Sequence, residues 1–427
     1  MTLTTWAASH TFRGGPLVRP TSVEEVARVV AQAQHVRAIG SRHSFHDLAD
    51  GPGTLVALDR LQVPLEIHDD DGAGTLGATV TVGAGVRYGE LAQDLHAAGW
   101  ALHTMASLPH IAVAGTVATA THGSGDSAVN LAAAVRGLEI VGAGGQVRQL
   151  GPDDDELAGS VVALGALGVV TRVSLAVEPT YDVAQEVWFD LPWDVALERF
   201  DELMGSAYSV SLFTDWRGDA VGQVWRKHRV LDAASWSPPQ AGTELAGARP
   251  APGPVHPVPG VDPAACTQQG GVVGPWHERL PHFRLEFTPS AGAELQTEYL
   301  VPRARAVEAL VALRALADQV APLLQISEVR TIAGDDLWLS TAHGGPHVGL
   351  HFTWKPWRDE VEQVLPVLED ALAPLQARPH WGKLFADRDR RLADLYPRWD
   401  DARALIARRD PAGVFANDFV RRIGLRD

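Results

Sequence analysis

The stretch from Arg19 to Asp50, "RPTSVEEVARVVAQAQHVRAIGSRHSFHDLAD", constrains the fold more than any other. Ser22 and Glu25 stand at capping-box spacing. Val26, Val29, Val30 and Ala33 recur with the period of a helix packed on one side. "VRAIG" then reads as a buried strand. A capped helix running straight into a buried strand calls for a mixed α and β layer. The strand breaks into a Gly-led turn crowded with polar side chains: Gly40, Ser41, Arg42, His43 and Ser44, with His46 three residues beyond His43. A metal site, a phosphate cradle, a covalent cofactor anchor and a plain turn all remain open for it at this level.

The next segments keep the mixed character. "ATVTVGAG" is a second strand, and "YGELAQDLHAAG" a helix that stops at Gly99 as a C-cap should. "LEIVGAGGQVRQL" predicts a hairpin turning at Gly144–Gly145, and "VVALGALGVVTRVSLAVEP" closes the region near residue 178. Beyond about 180 the texture changes. "SVSLFTDW", "HFRLEFTP", "ISEVRTI" and "VGLHFTW" read as strands separated by long stretches. Ser237 to Pro263 is rich in Pro and Gly and reads as a surface excursion, with later strands continuing the same sheet. With 427 residues, more than one core usually serves, the expectation is α+β with two domains: 1–178, 179–375, and a C-terminal segment 376–427 that packs back on the first domain.

Composition removes several classes. The net charge of −16 and the lack of a basic block argue against nucleic acid. No apolar run is long enough to span a membrane, and the N-terminal residues lack a signal-peptide core. The one cysteine, Cys266, excludes an internal disulfide and any multi-cysteine metal centre, and makes the cytoplasm the default compartment. Lysine occurs only at 227, 355 and 383, so arginine is nearly the only basic residue, and the two are not interchangeable at a tight site.

Two patterns invite a function and fail. "GAGVRYG" (Gly83 to Gly89) resembles a dinucleotide loop, but its last Gly falls one residue late and no acidic residue follows at the right place. "HERLPH" (His277 to His282) has the wrong spacing for a zincin, and Pro281 would break the helix that must hold both ligands. No metal is expected.

Two constellations survive. In "LLQISEVRTI" the period-two alternation puts Glu328 and Arg330 on one face; in "VGLHFTW" it does the same for His351 and Thr353. Each strand so offers two hydrogen-bonding side chains inside an apolar segment, although an exposed sheet face with an ion pair would look the same. Lys383, in "RPHWGKLF", sits between aromatic residues. In the first half, "MASLPHIAVAGTVATATHGSGD" (Met105 to Asp126) is dense in small residues, as a loop approaching a pyrophosphate must be.

"GSRHSF", "ASLPHIAVAGTVATATHGSG", "LGALGVVT", "HPVPG", "WHERLPHFRLEFTPSAGAELQTEYL", "RPHWGKLF" and "DPAGVFANDFV" together resemble the alditol oxidases, a family of the vanillyl-alcohol-oxidase-type flavoproteins, from end to end. The resemblance implies a two-domain FAD-linked oxidase fold: a PCMH-type FAD-binding domain, and a substrate domain with a large antiparallel sheet flanked by helices. It implies FAD bound covalently through His43, cradled by Ala38, Ile39, Gly40, Ser41, Arg42 and Ser44, with Gly40 allowing the sharp turn. Ala106, Ser107, Ala112, Gly115, Thr119, Ala120, Thr121, His122 and Val170 are expected along the flavin. Two of these depart from the family, which carries serine at position 112 and glycine at position 120. The family also has another residue where His46 stands.

For the substrate, the resemblance implies a polyol such as xylitol, sorbitol or glycerol, held by Ser107, Glu328, Arg330, Thr353 and Lys383. Glu328 can accept from two hydroxyls. Arg330 and Lys383 are expected to stabilise the oxygen of the terminal CH2OH, with His351 as proton acceptor, hydride passing to flavin N5, and O2 reduced to H2O2. Ala106 leaves room for O2. The chain is expected to act as a monomer in the cytoplasm. A sugar-1,4-lactone oxidase or dehydrogenase of the same fold is the nearest rival; a non-catalytic sugar-binding protein is a remote one.

Overall fold

The protein is described from a computed structural model over residues 3–69, 77–240, 242–287, 294–386 and 392–426. Helix α1 (Val23–Gln32) starts where its capping residues put it. Ser22 accepts from the Glu25 amide, and the Glu25 carboxylate reaches back to the Thr21 amide, one residue further than a capping box requires. Val26 and Val30 are buried on one side of α1, near β2. Strands β1 (Leu17–Val18), β2 (Val36–Ile39) and β3 (Thr54–Ala57) make a parallel sheet in the order β1-β3-β2.

A second, antiparallel sheet follows. It comprises β4 (Glu66–Asp69), β5 (Ala78–Gly83), β6 (Trp100–Ala101), β7 (Val135–Val141), β8 (Val147–Leu150) and β9 (Val169–Pro179). The order is β4-β5-β9-β7-β8, with β6 on β9. The β7–β8 hairpin turns at Gly144 and Gly145, with φ of +88° and +84°, a conformation that costs glycine little. Helix α2 (Tyr88–Ala97) covers this sheet, and helix α3 (Val113–Ala118) lies in the small-residue stretch.

The third sheet is antiparallel and holds nine strands: β10 (Asp182–Pro192), β11 (Ser209–Thr214), β12 (Ala220–Val230), β13 (Arg249–Pro250), β14 (Gly274–Pro275), β15 (Leu295–Pro302), β16 (Leu324–Ile332), β17 (His347–Trp354) and β18 (Arg378–Pro379). Its order is β13-β10-β12-β11-β16-β17-β15-β18, with β14 on β10. Strands before and after the Pro- and Gly-rich excursion therefore share one sheet, as expected. One face is apolar. Val329, Leu350, Phe352, Tyr299 and Val301 pack there against the helices Ala306–Ala315 and Arg358–Leu372. The alternation of β-structure turns the other set of side chains to the opposite face.

The strand expected in "HFRLEFTP" does not form in its described part. Phe283 makes one isolated bridge with Cys266, residues 285–287 turn away, and residues 288 and 289 lie outside the described residues. The reason is where the backbone hydrogen bonds go: the His282 and Phe283 amides both donate to the Ser107 carbonyl, not to a neighbouring strand. After β18 the chain turns through His380–Lys383 and places Trp381, Tyr396, Trp399 and Phe419 in the core beneath the second sheet.

Candidate active site

A cavity of about 490 Å³ runs from the end of β2, past α3, to the polar face of the third sheet. Of the residues expected at the cofactor, Ala38 to Ser44, Ala106, Ser107, Gly115, Thr119, Thr121, His122 and Val170 line it. Ala112 and Ala120 do not; both are buried behind its wall. A side chain at Gly115 would project into open space, so glycine leaves that wall low.

Gly40 is not the left-handed residue. Arg42 is, with φ +64°, held by the Thr4 carbonyl on its guanidinium and by the Trp6 amide on its own carbonyl. Gly40 is needed for space instead: a Cβ there would come within 3.2 Å of the Ala112 methyl. The Ala112 amide in turn donates to Ser41 Oγ at 3.1 Å.

The two histidines of the turn part company here. His46 is fully engaged: Nδ1 accepts from the Leu48 amide at 3.1 Å, Nε2 donates to the Trp381 carbonyl at 3.0 Å, and the ring stacks on Phe419. His43 stacks on Trp6, with ring centroids 4.8 Å apart, and both its nitrogens are buried without a hydrogen-bond partner. Burial, aided by His110 and Arg87, pushes its pKa down to about 4, so the ring is neutral. Two orphaned nitrogens are costly unless the ring has another role.

On the third sheet, Glu328 and His351 are directly opposed across β16 and β17, and Arg330 and Thr353 share their face. Strand β15 adds a residue the sequence reading missed. Glu298 lies opposite His351 and is the hub of the site. Its carboxylate accepts from Arg330 Nη2 at 2.6 Å and from Lys383 Nζ at 2.6 Å, with His122 Nε2 at 3.3 Å. Burial alone would raise its pKa; the Arg330 and Lys383 charges outweigh that and hold it well below the carboxylate range. A glutamate in the middle of "LQTEYLVP", alternating with Gln296 on one face of the strand, was the signal available. Gly349 clears the space for it: a Cβ there would meet Glu298 Oε1 at 3.1 Å.

Lys383 is largely buried rather than solvated, with its side chain 14% exposed. It donates to Glu298 and to His351 Nδ1, the latter at 2.7 Å, and His351 Nε2 contacts Thr353 Oγ1 at 3.1 Å. Burial, then the Lys383 charge, pushes His351 down to about 4. Burial also lowers the Lys383 pKa, and Glu298 opposes it. Arg330 Nη1 reaches Ser107 Oγ at 3.5 Å. Glu328 offers less than expected: its Oε1 already accepts from His282 Nε2 at 2.9 Å, leaving Oε2 for a ligand. His282, set aside with the false zincin pattern, is thus part of the site. The excursion is not merely surface either: His256, Pro257, Val258 and Val261 line the cavity, and Gln223 Nε2 pins the His256 carbonyl at 3.0 Å.

His122, Glu298 and His380 bring their donor atoms within 4.8 Å of one another, the one such group of metal-ligating types among the described residues. Two fixed cations, Arg330 and Lys383, already bind Glu298, and a divalent ion beside them would meet their repulsion.

Residues 16–151 match the family model of an FAD binding domain, and residues 293–423 that of D-arabinono-1,4-lactone oxidase. The chain is 49% identical over 425 residues to the alditol oxidase of Streptomyces sp. (strain IKD472 / FERM P-14339), covering 98% of both chains. It is 30% identical to the L-gulono-1,4-lactone dehydrogenase of Mycobacterium tuberculosis, again over 98% of both. Cholesterol oxidase from B. sterolicum shares the fold, with TM-score 0.77 at 16% identity over 99% of this chain and 96% of that one. The cavity fits FAD: the low wall at Gly115, the amides of the turn, and the orphaned His43 ring are what a tightly held flavin dinucleotide would use. The chain belongs to the alditol oxidase family of vanillyl-alcohol-oxidase-type, FAD-linked oxidoreductases.

Proposed function

We propose that this enzyme oxidises the terminal primary hydroxyl of a polyol such as xylitol or sorbitol to the aldehyde, with FAD tethered through His43. One observation carries the reading. The Lys383 ammonium commits one hydrogen to Glu298 and one to His351, which leaves its third for a hydroxyl oxygen in the cavity. His43 is the residue for the tether because it is neutral and its nitrogens are uncommitted, whereas both nitrogens of His46 are used.

FAD, when bound, supplies the hydride acceptor and passes the electrons to O2, releasing H2O2. The protein's own part is positioning and proton handling. Lys383 and Arg330 hold the substrate oxygen and stabilise its negative character as the proton leaves. The hydroxyl proton goes to His351, the neutral imidazole beside Lys383. Glu298, 3.7 Å from His351 Nδ1, stabilises the imidazolium so formed. Glu328 Oε2, Ser107 and Thr353 meet the remaining hydroxyls. Each buried hydroxyl left unpaired would cost about 1–3 kcal/mol, which is how the site selects a chain of them. The free, buried Cys266 suits the reducing cytoplasm.

The test is the visible spectrum of the purified protein under anaerobic conditions, before and after xylitol. Bleaching of a flavin band that returns on admitting air is the expected result. A band that xylitol leaves intact and L-gulono-1,4-lactone bleaches would move the enzyme to the lactone class, which the relatives at lower identity favour. Absence of any flavin band would remove the role given to His43.

A further inference from the structure

Behind Glu328 lies a second row of groups that the mechanism does not use. His282 Nε2 meets Glu328 Oε1 at 2.9 Å, and His282 Nδ1 meets the Lys227 ammonium at 3.2 Å. Lys227 stands on β12 and is 1% exposed. Its ammonium faces three acceptors: the Leu280 carbonyl, the Pro281 carbonyl and His282 Nδ1. Three hydrogens for three acceptors is the geometry of a lysine and not of the planar arginine fork. In a chain with 36 basic residues, lysine was retained at only three positions, and two of them are Lys383 and Lys227.

An ammonium carries no lone pair, so its contact with His282 has only one sense: Nδ1 accepts. His282 is neutral, because burial and then the Lys227 charge push its pKa down to about 4. The one ring proton must therefore sit on Nε2, where it donates to Glu328. We propose that Lys227 is a positioning residue that locks the tautomer of His282 and thereby holds Glu328 as an acceptor-only carboxylate, with Oε2 turned to a substrate hydroxyl. The inference rests on the reading of this cavity as the substrate site.

The charges around the pair pull both ways. Burial lowers the Lys227 pKa to about 7, while the Glu328 charge opposes that and the three acceptors favour the ammonium; Arg330 and the buried Cys266 are the other titratable groups that act on it. Glu328 is pulled up by burial, but Arg330 and His282 hold it far below the usual range. Without Lys227 the imidazole is free to place its proton on Nδ1. Its Nε2 lone pair would then face the carboxylate, and Glu328 would turn away from the substrate or take up a proton.

The experiment is a double-mutant cycle of Lys227→Met and Glu328→Gln in the flavin-loaded enzyme, reading kcat and KM separately. In the wild-type background K227M is expected to raise KM for xylitol roughly tenfold, the worth of one good hydrogen bond to a charged group, with kcat within about threefold and flavin content unchanged. In the E328Q background the same change is expected to move KM less than about twofold, because a neutral amide accommodates either tautomer. Equal KM effects in both backgrounds would overturn the proposal, as would a fall in kcat at constant KM. If K227M does not accumulate as holoenzyme, His282→Leu breaks the same chain at its middle and must show the same dependence on Glu328. If xylitol does not reduce the wild-type flavin, the polyol reading fails on its own; the cycle is then run with L-gulono-1,4-lactone, and the same coupling is expected.

Discussion

The two walls of the cavity are made of different material. The wall after β2 and α3 is chiefly backbone and small side chains, with Gly40, Ser41, Ala106 and Gly115 shaping it. The wall on the third sheet is chiefly charge: Glu298, Glu328 and Arg330, all buried, interlocked with the part-buried Lys383. The first holds a large cofactor by shape, so many single changes there are absorbed. The second works by a balance of charges in a low-dielectric space, where each member is answerable for its neighbours. Substitutions should therefore be steep on the sheet and shallow in the cradle.

The steepest is Lys383→Ala. It removes the only ammonium hydrogen offered to the substrate oxygen and strands Glu298 with one partner fewer. A loss of about 1000-fold in kcat is expected, in the range of a single oxyanion donor, with flavin absorbance intact. Equal losses of flavin and kcat would erase the distinction between the two walls. Glu298→Gln comes next, with a fall of roughly 100-fold in kcat/KM expected. It also has a pH signature. Activity needs a neutral His351 and a protonated Lys383. It should fall as pH drops through about 4, where His351 takes up a proton, and again on the alkaline side, below the ordinary lysine range. Removing the Glu298 charge lowers the Lys383 pKa further, so the alkaline limb of the kcat/KM profile should move down in E298Q.

The same difference decides what was legible in the sequence. Charged residues alternating on an apolar strand leave a pattern, so Glu328, Arg330, His351 and Thr353 were read before their register was known. Glu298 was not, because Gln296 and Thr297 beside it on β15 blur the contrast and only cross-strand pairing with His351 gives it meaning. His282 was hidden for another reason: it is delivered by an irregular segment whose backbone bonds go to Ser107, which no periodicity announces. The cradle was read from its small residues, with Gly40 expected to allow the sharp turn, but nothing in the sequence marked Arg42 as the left-handed residue. Composition shows that a turn is present; tertiary contacts, here with Thr4 and Trp6, decide which residue bends.

Within the cradle the tether is the exception to tolerance. His43→Ala should release flavin from acid-precipitated protein into the supernatant, while His46→Ala should leave it in the pellet. Turnover by H43A should fall modestly, by an order of magnitude or so, since the dinucleotide keeps its walls. Covalent retention in H43A with loss in H46A would exchange the two histidines and sink the argument from their hydrogen bonding.

The smallest effect tests the cradle's tolerance most directly. Ala120 is fully buried and has φ +55°, a conformation that costs a residue with a Cβ about 1–2 kcal/mol. The resemblance to the alditol oxidases implies glycine at this position, and the strained backbone would account for that without any contact to the flavin, since Ala120 stands behind the cavity wall. Ala120→Gly relieves the strain, but it also gives the unfolded chain more freedom, worth about 0.5–1 kcal/mol in the opposite sense. The balance is a gain of roughly 0.5–1 kcal/mol, a rise of one to three degrees in the melting temperature of a protein this size. Activity and flavin content should not change. A lower melting temperature would mean that the Ala120 methyl packs well enough to outweigh its backbone, and a change in kcat would mean that the rear of the cradle is coupled to the sheet after all.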